Sequence, residues 1–402
     1  MKTLKTTMFV TACMAMMCAC TDPSTLDENQ GSNESNELVE LKINPSIALT
    51  RAAVTSENGS DLGSIAVYSS GTENNYAIYE YSSSPGGWGA KSGAGNIYLS
   101  KKEVTIFAYY PAYQANGSDA LEINTTGSNT TPSTSSTINV SLNEGDGGEA
   151  KDGNQIYVAS DANEASVNDL SSNNTINTAS ADVDYMYAVD GNDSGAQQVN
   201  AVGETESQPT ASSTSSSVSL KMKHAMALAS FKVIKENYDN EGKLTKIVLK
   251  NKESNTTLNQ GDGQATMNIS SGAITLGTNA KAATFTRFIY TGTSENPTEG
   301  YTLINDASSS PAFSILTYPN DTEDKSTIEV EVTVDKQTYS VALPNGSANT
   351  ANTDSNSTSQ AWTAGKNHVY TLKLSGKELG ITSVAIESWG SDVPMGDPLP
   401  LQ

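Results

Sequence analysis

Ile328, Val330, Val332 and Val334 alternate with Glu329, Glu331 and Thr333. A period of two puts the aliphatic side chains on one face of a strand and the polar ones on the other, which a helix cannot do. Short runs of strand-forming residues recur along the chain at 64–68 (SIAVY), 76–81 (YAIYEY), 104–109 (VTIFAY), 138–142, 156–159 and 183–189. They continue at 244–249 (LTKIVL), 265–269, 315–318, 338–343, 369–374 and 382–387, with 121–123 as a further candidate. Residues 218–234 read as two strand segments around His224-Ala225, with a short helix as the alternative. Pro85-Gly86-Gly87 and Gly93-Ala94-Gly95 mark loops, and Ser/Thr/Asn tracts such as 124–137 and 171–180 separate the runs. No long run has helical periodicity. Many short strands punctuated by turn residues predict an all-β protein of sandwich or barrel type.

A chain of 402 residues is long enough for about two domains. Its clearest composition break is 191–217, which ends in a low-complexity Ser/Thr tract. The boundary is placed there, dividing a first domain, 52–215, from a second, 216–402. Charged residues make up only 17%, and Ser, Thr, Asn and Gly are plentiful, as in extracellular β-proteins with long polar loops. A net charge of −22 leaves no basic surface to displace phosphate counterions, so nucleic acid is excluded as a partner. Acidity of this kind confers solubility.

All three cysteines, Cys13, Cys18 and Cys20, fall in the first twenty residues. The rest of the chain has no disulfide and no thiolate metal site, so packed sheets must supply its stability. Lys2 and Lys5 precede an apolar run from Met8 to Ala19, the pattern of a signal peptide with a core too short to span a membrane. Met17-Cys18-Ala19-Cys20 resembles a bacterial lipobox, although Cys18 stands where a small residue is usual. On that reading 1–19 is removed and Cys20 carries lipid, which holds the precursor on the outer membrane; ordinary secretion is the alternative. Residues 20–37 form a polar tether.

In 38–51, Val39, Leu41 and Ile43 alternate with Glu40, Lys42 and Asn44; Pro45 breaks the run, and 47–49 resume it. Arg51 is the only basic residue between Lys42 and Lys91. We read 38–51 as a removable first strand that completes the first domain during export and is cut off between Arg51 and Ala52. A sandwich that lacks a strand exposes an apolar groove and unpaired backbone groups. An extended segment from another subunit restores the ladder. Donor and groove are different surfaces, so the contact is head-to-tail and grows a filament. The candidate donor is 393–402, VPMGDPLPLQ. Val393, Met395, Leu399 and Leu401 share one face, and Pro394, Pro398 and Pro400 take the other parity, so the missing N–H groups line one edge.

Catalytic patterns are mostly absent, with a Ser–His–Asp triad among the many serines as the open alternative. His224 and His368 both lie in strand-like runs, where a structural role is the default. No Gly-x-Ser-x-Gly elbow accompanies the many serines, and zinc-ligand spacing is missing. Gly89-Ala90-Lys91-Ser92 lacks the glycine that a phosphate loop needs before its lysine. The acidic glycine loop 146–153 does not follow the calcium-loop pattern, which leaves a solvated turn as the default and a weak calcium site as the alternative. Tyr68, Tyr79, Tyr81, Tyr109 and Tyr110 sit in strands, where core packing accounts for them. We expect neither enzymatic activity, cofactor nor metal.

Several pieces, in order, resemble the fimbrillin family, lipoprotein-exported subunits of type V pili. They are the lipobox at Cys20, Thr50-Arg51-Ala52, 62–68 (LGSIAVY), 106–111 (IFAYYP), 184–188 (DYMYA), 223–227 (KHAMA), 362–365 (WTAG) with 370–372 (YTL), and 386–389 (IESW). The resemblance implies two tandem β-sandwich domains of transthyretin-like type. It implies a structural subunit of a cell-surface fimbria that supports adhesion. An arginine-specific protease would remove the first strand at Arg51, and a neighbour's C-terminal segment would replace it by donor-strand exchange. The implied partners are other fimbrial subunits and a host or bacterial adhesion ligand. A tip or accessory adhesin, or a lipid-anchored glycan-binding lipoprotein that keeps its first strand, are the alternatives.

Overall fold

Strands with one wet face keep their alternation, and strands with two dry faces lose it; both kinds are present in the computed structural model. It describes residues 38–47, 59–71, 75–83, 86–92, 95–114, 119–124, 131–142, 155–158, 184–191, 207–293, 296–310, 312–345 and 361–388. The described chain is all-β apart from one short 3-10 turn, Ser60–Leu62.

The first sheet runs Lys42–Ile47, Ser217–His224, Met186–Asp190, Val104–Tyr110, Ser64–Ser69, Tyr76–Ser83, Gly86–Ala90. All its pairings are antiparallel except the one between Lys42–Ile47 and Ser217–His224. Its central strands are dry on both sides. Ile65, Val67, Ile106, Ala108, Met186 and Ala188 enter one core, while Ala66, Tyr68, Phe107, Tyr109 and Tyr187 enter another. That is why 64–68 and 104–109 read as nearly continuous apolar runs.

A second sheet, Ala312–Thr317, Ala227–Glu236, Lys366–Ser375, Glu378–Ser388, shares a core with a third. The third runs Asn296–Glu299, Thr284–Thr293, Lys243–Asn251, Ile328–Val334, Gln337–Ala342. Phe231, Val233, Tyr370 and Leu372 from one face Ile247, Leu249, Phe285, Val330 and Val332 from the other, with Trp362 fully buried among them. The strict alternation of Ile328–Val334 reflects this one-sided burial.

Ser217–His224 and Ala227–Glu236 are separate strands in separate sheets, so the chain changes sheet at Ala225-Met226. Among the described residues, Ser217–His224, just past the composition boundary at 215/216, pairs only with strands of the first half. Two short strands of the first half pair with the second: Thr137–Val140 with Ala265–Asn268, and Gln155–Val158 with Thr284–Thr293.

Three expectations are corrected. Residues 121–123 form no strand; Ile123 makes a single bridge to Ile138. Gly86–Ala90, expected to begin in a loop, is an edge strand against Tyr76–Ser83. Pro45 does not break its strand, for a reason that lies in the edge it faces.

Candidate functional site

Residues 38–47 close the first core from its edge. Val39 and Glu40 pair antiparallel with Leu99 and Tyr98. At Leu41 the strand changes partners: its N–H donates to Ile97 O at 2.9 Å, while the Lys42 N–H donates to Ser216 O at 2.8 Å. From there Lys42–Ile47 runs parallel to Ser217–Met222, from Lys42 opposite Ser217 to Ile47 opposite Met222.

The alternation seen in the sequence sets the burial. Leu41 is 1% and Ile43 3% exposed, in one cluster with Val218, Leu220, Met222, Ile65, Tyr79 and Ile97. Val39 is half-buried, and Glu40, Lys42 and Asn44 are exposed. Burying side chains of this size is worth about 1.5–3 kcal/mol each. Polar contacts fix the register: Asn44 Nδ2 donates to Ser217 Oγ at 3.1 Å, and Asn96 Nδ2 to Glu40 Oε1 at 2.7 Å. The Tyr79 hydroxyl donates to Leu41 O at 2.9 Å. Burial pushes this phenol well above its ordinary pKa, so it stays a donor.

Backbone parity explains Pro45. Lys42 points its N–H at the Ser217–His224 strand, and so by alternation do Asn44 and Ser46. Leu41, Ile43 and Pro45 face the opposite edge. Among the described strands Lys42–Ile47 is terminal in the sheet, so the N–H that proline lacks would have met no ladder partner there. Pro45 is buried on the same face as Leu41 and Ile43. Gly59, at φ +60, returns the chain against it; a Cβ there would lie 2.8 Å from Pro45 O.

Of the residues singled out in the sequence, the structure brings Leu41 and Ile43 into the core, with Val39 at its rim. Cys20, Arg51, Ala52, Val393, Met395, Leu399 and Leu401 lie outside the described residues. Sequence reasoning missed the wall of the site, Tyr79, Ile97, Val218, Leu220 and Met222. The alternation of Ala77 and Tyr79 about Ile78 signalled which face of that strand points there.

Both histidines are placed by packing. His224 Nδ1 lies 2.6 Å from Asp184 Oδ2, both side chains buried. His368 is buried beside Trp362, their rings 6.4 Å apart, and burial pushes its pKa down to about 3, so the ring is neutral. Lys91 is on the surface, 3.3 Å from Glu80. Among the described residues no group of three or more His, Cys, Asp or Glu side chains could share a metal ion.

Residues 114–389 match the fimbrillin-like family. Among solved structures, a candidate cell adhesion protein from Bacteroides ovatus is 16% identical, with a TM-score of 0.50, over 88% of this chain and 99% of that one. A fimbrial protein from Bacteroides vulgatus is 12% identical, with a TM-score of 0.45, over 87% of this chain and 99% of that one. A search of curated proteins gives no match.

Proposed function

Because this chain belongs to the fimbrillin-like family, we propose that it is a structural subunit of a cell-surface fimbria that supports adhesion, assembled by exchange of its first strand. On this reading Cys20 bears the lipid of an outer-membrane precursor, and an arginine-specific protease cuts between Arg51 and Ala52. The vacated groove then accepts 393–402 of the next subunit. On this reading the chain forms two β-sandwich domains, 52–215 and 216–402, and the pairing of Ser217–His224 with strands of the first half supports a boundary after that strand.

The observation that carries the reading is the double character of residues 38–47. They are integral to a core, through Leu41 and Ile43, yet they occupy a sheet edge and join the domain through one connection, 48–58. A single cut in that connection frees the strand without breaking any other covalent path. Its departure would uncover Val218, Leu220 and Met222 and the ladder edge of Ser217–His224, a surface costly to leave in water. Refilling it with a strand from another copy turns that cost into the driving force for polymerisation.

Arg51→Ala tests the reading in cells. Surface polymers, visible as SDS-resistant ladders that collapse on heating, should disappear while exported monomer accumulates. Ladders that persist in the variant would show that assembly does not need cleavage at Arg51.

A further inference from the structure

The direction in which a replacement strand lies in the groove is written in its prolines. For a strand with one face fixed inward, reversing its direction exchanges its two edges. In the resident strand the inward residues Leu41, Ile43 and Pro45 turn their backbone groups away from Ser217–His224; the outward residues Lys42, Asn44 and Ser46 turn theirs toward it. This strand runs parallel to its neighbour, and its one proline shares the parity of its apolar residues, where the missing N–H does no harm.

In 393–402 the parity is reversed. Val393, Met395, Leu399 and Leu401 would face inward, with Asp397 at the same parity, and Pro394, Pro398 and Pro400 hold the outward positions. Laid parallel, as the resident strand lies, this segment would aim three missing N–H groups at the carbonyls that Lys42, Asn44 and Ser46 now satisfy. Laid antiparallel, it turns its odd-numbered N–H groups to Ser217–His224 and its prolines to the open edge.

Building on the exchange reading above, we infer that 393–402 of a second copy enters the groove antiparallel to Ser217–His224, opposite in direction to the strand it replaces. The carbonyls of the even-numbered residues then face Tyr79, whose hydroxyl can donate to one of them as it does to Leu41 O. Gly396 is the non-proline residue of that parity inside the segment, and its N–H can serve Ile97 O. The resident strand thus holds the groove open in one direction, and the incoming strand closes it in the other. Exchange therefore cannot proceed by sliding one strand along the path of the other, residue for residue.

Disulfide mapping in assembled polymer tests this. Single cysteines at Ser215, Ser217, Ser219 and Lys221, on the outward face, are combined with Gly396→Cys or Gln402→Cys in the full chain. Whatever the register, antiparallel entry predicts that Gly396→Cys joins a groove position nearer Lys221 than the one that Gln402→Cys joins. The reverse order overturns the inferred direction while leaving strand exchange intact. Heat-labile ladders with no cross-link from either tail position overturn 393–402 as the occupant, and with it the inference.

Discussion

The Tyr79 hydroxyl donates 2.9 Å to the backbone carbonyl of Leu41, between two residues that are each 1% exposed. The contact reads backbone and not side chain, so it holds whatever strand lies in the groove with a carbonyl at that point. Tyr79→Phe leaves the Leu41 carbonyl buried without this donor, which costs about 1–3 kcal/mol. Urea unfolding of the precursor should register a loss of that size; an unchanged midpoint would mean that water replaces the phenol.

Leu41→Ala and Ile43→Ala remove buried aliphatic atoms from the first core. Each should destabilise the precursor by about 2–5 kcal/mol. Polymer matured at Arg51 no longer contains either residue, so its resistance to heating in SDS should match wild type. Variants that weaken both forms equally would contradict removal of the strand.

Gly272 and Gly63 separate backbone strain from crowding. Both have positive φ, +67 and +63, but a Cβ on Gly272 would meet the Tyr187 ring at 2.1 Å, while none lies within 4 Å of Gly63. Gly63, at ψ −51, lies outside the left-handed helical region, and Gly63→Ala should cost about 1–3 kcal/mol of backbone strain with no clash. Gly272→Ala should cost clearly more, because Tyr187 is fixed in a packed cluster. Equal thermal shifts would remove the contact from the explanation.

The strands were legible where burial is one-sided, as strict alternation, and where it is two-sided, as the apolar runs 64–68 and 104–109. Ile328–Val334 announced itself, as did the break between Ser217–His224 and Ala227–Glu236. Thr284–Thr293 did not, because Arg287 interrupts its apolar residues, and that arginine is 1% exposed. Gly86–Ala90 hid behind the glycines that flank Trp88, although Trp88 and Ala90 pack against the first core. Pro45 misled because proline stops a strand only when its missing N–H faces a partner, and which edge is open depends on sheet order. At the site, the alternation of Leu41 and Ile43 was local and readable. The wall they meet comes from 79, 97 and 218–222, and no local pattern announces a pairing across so much chain.

His368 ties the second core to pH. Burial, aided by Lys325 and Lys366, holds its pKa near 3, against about 6.5 in an unfolded chain. The folded state therefore binds fewer protons between those values. The stability due to the neutral ring is complete above about pH 6.5 and is lost as pH falls toward 3, at up to about 1.4 kcal/mol per pH unit. Relative to His368→Leu, the wild type should lose about 2 kcal/mol between pH 6.5 and 5. Parallel pH profiles for the two proteins would refute the assignment.

The account rests on a strand that is present in the precursor and absent from the assembled form. Intact-mass and N-terminal sequence analysis of the protein sheared from the cell surface measures this directly. The account predicts a chain that begins at Ala52, without lipid and without Leu41 and Ile43. A surface form that begins at a lipid-modified Cys20 and still contains 38–47 would contradict it.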